Sequence, residues 1–128
     1  MRVAVAQLAP GFDPAQNVEQ TVQALREAAS RGAQLVVLPE LCSSPYQLGD
    51  VALDEWAQEI PKGSLVQRWL AETKALGLWY VADLLESAGE RYYSSAIVLG
   101  PEGLVGCYRK AHLFGWERAR LTAGNAKL

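Results

Sequence analysis

An α/β fold is predicted by the order of patterns along the 128-residue chain. In the first half, short valine-rich runs alternate with amphipathic stretches. In the second half, three strand-like runs follow one another with turn sequences between them. Alternation of strand and helix implies parallel pairing, because a parallel neighbour is reached only by a long crossover, whereas runs joined by tight turns pair antiparallel.

The run from Arg2 to Leu8 is apolar and closes at Pro10-Gly11, which fits a buried strand better than a helix of so few residues. Asp13 followed by Pro14 has the form of an N-cap with proline at the first helical position. Val18, Val22, Leu25 and Ala29 then recur at helical spacing until Gly32. Leu35 to Leu38 is a second buried run, ending in Pro39-Glu40, so these elements predict a parallel βαβ unit. Leu41 to Gly49 has neither period and reads as an irregular loop beyond a strand's carboxyl end, where functional loops gather. A short helix is expected around Val51 to Glu59, and Gly63-Ser64 opens another carrying Leu65, Trp69, Leu70 and Leu76 before Gly77. Leu78 to Leu85, Tyr92 to Leu99 and Leu104 to Tyr108, separated by SAGER and GPEG, predict a meander. Residues 109–128 show neither period and carry five basic groups against one acidic group, which reads as a solvated basic tail.

Composition narrows the function. Half of the residues are hydrophobic and 20% are charged, enough for a globular core and too apolar for a disordered chain; the length sets one domain as the ceiling. A formal charge of −2 disfavours nucleic acid or an anionic membrane as partner. Gln7 interrupts the first apolar run before it becomes a secretory signal, and no run approaches the roughly 18 to 20 residues a bilayer requires. A soluble, cytoplasmic protein is expected. Cys42 and Cys107 stand far apart without a CxxC pattern, and His112 is the only histidine, so neither a disulfide framework nor a zinc site is indicated. Phosphate loops and the GxSxG elbow are absent.

Two charged residues stand where strand-like runs end: Glu40 closes LVVLP and Lys110 follows LVGCYR. In open α/β sheets the ligand crevice lies outside the carboxyl ends of strands. The two groups therefore either face such a crevice or are solvated strand termini. A carboxylate beside an ammonium offers a base and an electrophilic stabiliser together, each keeping the other charged.

VAVAQ at Val3 to Gln7, LVVLPEL at Leu35 to Leu41 and YRKAHLF at Tyr108 to Phe114 resemble the carbon-nitrogen hydrolase (nitrilase) superfamily, in matching order and with similar separations. The resemblance runs over essentially the whole chain and corresponds to the N-terminal half of the family's domain. It implies an α/β fold that is the N-terminal portion of a nitrilase-like αββα sandwich, which usually dimerises. It also implies hydrolysis or condensation of non-peptide C–N bonds in amides, nitriles and carbamoyl compounds by a Glu-Lys-Cys triad, with no metal or organic cofactor. By position, Glu40 matches the general base and Lys110 the lysine that stabilises the oxyanion. Glu117 resembles a second glutamate near the lysine, with a positioning role, and Tyr46 matches a pocket-lining aromatic or simply packs.

The family's nucleophile lies on a strand a few tens of residues beyond the lysine, and no residue of this chain matches it. Residues 1–128 are therefore expected to be an incomplete domain ending before that strand, inactive by itself. Cys42, close to Glu40, departs from the family geometry. Cys107 has opposite strand parity to Tyr108 and Lys110 and is expected to face away as a small buried hydrophobe. His112 matches a structural position in the family. The expected partners are a small amide, nitrile or carbamoyl substrate and either a second copy or a complementing C-terminal chain, with no nucleic acid or membrane. The alternative is a non-catalytic fragment or interaction module of the same fold.

Overall fold

The computed structural model describes residues 1–49 and 51–125; the end of the expected tail, residues 126–128, lies outside them. Its elements are β1 (Val3–Val5), α1 (Pro14–Ser30), β2 (Leu35–Val37), a 3-10 turn (Leu53–Glu55), α2 (Ser64–Leu76), β3 (Trp79–Ala88), β4 (Arg91–Gly100), β5 (Gly103–Arg109) and α3 (Glu117–Arg120). The strands form one sheet in the order β1-β2-β3-β4-β5. β1, β2 and β3 pair in parallel, while β3, β4 and β5 form the antiparallel meander.

Local chemistry sets the ends of these elements. The Asp13 carboxylate accepts the Gln16 N–H at 3.1 Å, and Pro14 opens α1. Gly77, at φ 65°, gives α2 its left-handed C-cap. Both helices lie on one face of the sheet. Val22 and Leu25 from α1 and Val66 and Trp69 from α2 close over Val36, Tyr80, Leu84, Ile97 and Leu99. The Trp69 indole N–H finds Thr21 Oγ1 at 2.8 Å, and its ring meets Tyr80 edge-on at 5.2 Å. Arg26 clamps the nearly buried Glu72 through two hydrogen bonds, tying α1 to α2.

The opposite face is bare along much of its length, with Val3, Val5, Trp79 and Tyr108 exposed there. At one end it is covered by a second core, in which Leu41, Leu48, Leu53 and Trp56 pack with Leu85 of β3 and Leu121. This end carries the candidate site.

Two expectations are corrected. The helix around Val51 to Glu59 shrinks to the 3-10 turn, because Gln58 instead pairs alongside β3: its N–H donates to the Leu85 carbonyl and its own carbonyl accepts the Ser87 N–H. The stretch after Tyr108 is not a solvated tail. Lys110 N–H bonds the Ser94 carbonyl, Thr122 N–H the Tyr92 carbonyl and Gly124 N–H the Lys110 carbonyl, while Glu117 and Leu121 are buried. A four-residue helix is too short to display a period. Among the described residues no helix is long and apolar enough to cross a membrane.

Candidate active site

Glu40 and Lys110, 70 residues apart in sequence, meet beyond the ends of β2 and β5. Glu40 Oε1 lies 2.6 Å from Lys110 Nζ, and Glu117 Oε1 lies 2.8 Å from the same nitrogen. The second Glu117 oxygen accepts the Phe114 N–H at 2.7 Å. The three side chains are graded in exposure: Glu40 is 38% exposed, Lys110 26% and Glu117 fully buried. The ammonium thus points from a buried anchor towards a carboxylate at the surface. Partial burial works against the Lys110 charge, but the hydrogen bonds to Glu117 and Glu40 and their charges outweigh it and hold the amine well above the usual lysine range. The lysine is cationic at any physiological pH.

The backbone that presents Glu40 is unusual. Leu41, next in sequence, is fully buried at φ 47°, a left-handed conformation that costs a residue with a Cβ roughly 1 to 2 kcal/mol. Its N–H donates to Asp83 Oδ1 at 2.9 Å, and the Cys42 N–H donates to the Asp83 carbonyl at 3.1 Å. Ser94 Oγ lies 3.2 and 3.3 Å from the two Asp83 carboxylate oxygens. Burial pushes the Asp83 carboxyl up to about 6, the Leu41 and Ser94 hydrogen bonds oppose the shift, and Glu40 adds to it. Sequence reasoning missed Asp83. The available signal was a lone charge inside the apolar run VADLL, on the face of β3 that also carries Val81 and Leu85.

Tyr46 is 45% exposed, its ring edge-on at 6.4 Å to that of Trp116, the residue before Glu117. Both expected roles, pocket wall and packing, are compatible with that position. The loop bearing it is braced from α3. The Arg120 guanidinium donates to the Leu48 carbonyl at 2.7 Å, to that of Val51 at 2.8 Å and to that of Gly49. Arg120 also escaped the sequence reading, which had assigned its segment to solvent.

Neither thiol joins the pair. Cys42 is buried and donates to the Asp83 carbonyl at 3.3 Å, and burial, with the Asp83 charge adding, pushes it up to about 12. It stays protonated and is a poor nucleophile. Cys107 faces away from Tyr108 and Lys110, as its parity predicts, and shares a face with the Glu86–Arg109 pair. The expectation that it is buried is corrected: Cys107 is exposed, on β5 at the edge of the sheet. Burial of its sulfur and the Glu86 charge still raise its pKa. His112 is exposed while Cys42, Ser43 and Ser44 are buried, and among the described residues no hydrogen bond joins it to them. Ser95 serves structure, donating to Glu86, which Arg109 holds by two hydrogen bonds while its guanidinium lies 4.0 Å above the Tyr93 ring.

The family model described as carbon-nitrogen hydrolase matches residues 2–127. A nitrilase of Pyrococcus abyssi is 38% identical over 120 residues, covering 92% of this chain and 46% of the relative. Omega-amidase NIT2 of Homo sapiens is 36% identical over 116 residues, 88% of this chain and 41% of that protein. Among solved structures, the amidase of Nesterenkonia sp. AN1 in complex with butyramide superposes with a TM-score of 0.81 at 25% identity, over 98% of this chain and 49% of that one. The chain thus spans about half the length of the relatives it matches.

Proposed function

This chain belongs to the carbon-nitrogen hydrolase family, and we propose that it supplies the base and the oxyanion-stabilising cation of a cysteine-dependent hydrolase of small non-peptide amides. The observation that carries this reading is the Glu40–Lys110–Glu117 chain, in which a partly exposed carboxylate and a permanently charged ammonium are in direct contact, with a buried carboxylate behind them. In the proposed reaction a cysteine supplied by polypeptide beyond these 128 residues attacks the amide carbonyl, and Glu40 takes the thiol proton. Lys110 stabilises the negative oxygen of the tetrahedral intermediate. Glu40 returns the proton to the nitrogen as the C–N bond breaks and ammonia leaves. Water then attacks the thioester, with Glu40 again accepting a proton; the C–S bond breaks, Glu40 returns that proton to the sulfur, and the carboxylic acid departs. Glu117 holds Lys110 in line throughout. Short aliphatic amides are the proposed substrate class, by likeness to the butyramide seen with the Nesterenkonia amidase.

An outside source for the nucleophile is supported by the two cysteines' positions, one buried and protonated, the other on the far face. It also fits the bare sheet face, which a second half of the domain would cover. That same face favours the rival reading, an inert interaction module. The test is ammonia release from a panel of small amides, nitriles and carbamoyl compounds by the chain completed with its downstream polypeptide. Turnover is expected to fall by about 100-fold or more in Glu40→Gln and in Lys110→Ala. Undiminished turnover in both variants would refute the assignment, and turnover by the 128 residues alone that vanishes in Cys42→Ala would relocate the nucleophile.

A further inference from the structure

We propose that Asp83 is a positioning residue that fixes the geometry between Glu40 and Lys110. The proposal rests on the reading of those two as the reacting pair and adds the group that holds them in register. Asp83 touches neither one directly. Its carboxylate accepts the Leu41 N–H and its carbonyl accepts the Cys42 N–H, so the chain immediately after Glu40 is hooked to β3 at two successive residues. The same carboxylate is bonded by the Ser94 hydroxyl, and the Ser94 carbonyl accepts the Lys110 N–H at 2.8 Å. One side chain therefore links the backbone carrying the carboxylate to the backbone carrying the ammonium, through one hydrogen bond on the first side and one intervening serine on the second.

Two features mark this as more than strand packing. Leu41 sits in a left-handed conformation that its side chain does not favour, and an unanchored N–H there would let the turn relax and swing Glu40 out of line. A carboxylate is also an expensive occupant of a buried strand position. Its neighbours on the same face, Val81 and Leu85, show that apolar side chains suit the sheet. What an apolar residue would not supply is the acceptor for the buried Leu41 N–H.

The experiment is competitive acylation of lysines at pH 9 in the full chain, with exposed Lys62 and Lys74 as internal references. Lys110 labels slowly in the parent because the two glutamates keep it protonated. In Asp83→Ala the loosened Glu40 lets the amine's pKa fall, and Lys110 labelling is expected to rise about tenfold, while Asp83→Asn, which retains an acceptor for Leu41, stays within about twofold of the parent. Unchanged labelling in a folded Asp83→Ala overturns the proposal, as does an Asp83→Asn that labels like Asp83→Ala, since charge and not geometry would then be acting. Should Asp83→Ala fail to fold, Ser94→Ala decides: labelling up by roughly threefold supports the link, and no change overturns it. Because labelling needs no turnover, the expected pattern together with an undiminished Glu40→Gln hydrolase would sink the catalytic reading and leave the positioning role standing.

Discussion

Glu117 divides its carboxylate between two tasks, one oxygen fixing Lys110 Nζ and the other receiving the Phe114 N–H. Full burial of such a group is tolerable only because both oxygens are used. Asp83 is held less completely, and its titration should be visible in stability. Its ordinary carboxyl value lies near 3.9, and burial raises it to about 6 in the native state. The native chain therefore binds this proton more tightly than the unfolded chain does. Stability from protonated Asp83 is fully present below about pH 4 and is lost as pH rises through 6, amounting to about 3 kcal/mol. The groups that bear on it are Glu40, which raises it, Lys110, which lowers it, the Ser94 hydroxyl and the Cys42 thiol. Asp83→Asn cannot ionise, so its urea-unfolding free energy relative to the parent should improve by about 2 to 3 kcal/mol between pH 4 and pH 7.5. A difference that is flat with pH would mean that the carboxyl titrates normally.

At the scale of elements, α3 is short but does much of the ordering around the site. It delivers Glu117 to the lysine, packs Leu121 into the second core, and sends Arg120 across to three carbonyls of the Tyr46 loop. Charge-assisted bonds of this kind are worth about 1.5 to 3 kcal/mol. Arg120→Met should therefore speed amide exchange at Ser44 and Val51, both hydrogen-bonded within the loop, by about tenfold or more; unaltered protection would show that the loop holds itself. The βαβ unit, α2 and the meander were legible in the sequence because each repeats a period long enough to read and ends in a distinctive cap or turn. Asp13-Pro14 and Gly77 are the clearest cases. Glu40, Lys110 and Glu117 are legible only through motif resemblance, and the fold brings the three side chains into contact. Asp83 and Arg120 were not legible. Their partners are backbone groups 42 and about 70 residues away, and no local pattern announces a contact with a distant carbonyl or N–H.

For the whole molecule the dominant fact is asymmetry between the two faces of the sheet, one covered by helices from β1 to β4 and the other presenting Val3, Val5, Trp79 and Tyr108. Exposed apolar surface of this kind drives association. The 128-residue chain alone should form oligomers at micromolar concentration and bind ANS, and the pair Val5→Lys with Trp79→Lys should shift it towards monomer. A parent chain that runs as a dye-silent monomer in sizing chromatography would show the face to be inert. The way the sheet is wired also sets an order of events. β3, β4 and β5 are neighbours in sequence, joined by turns as tight as Gly89-Glu90, and such hairpins close within microseconds. β1 and β2 reach their partners only across whole helices, Val3 to Leu35 and Leu35 to Trp79, a non-local closure that comes slowly. Lys110 rides on the fast half and Glu40 on the slow one. The ion pair is thus expected to form last, so that the base and the cation come into register only when the first two strands have docked on the meander.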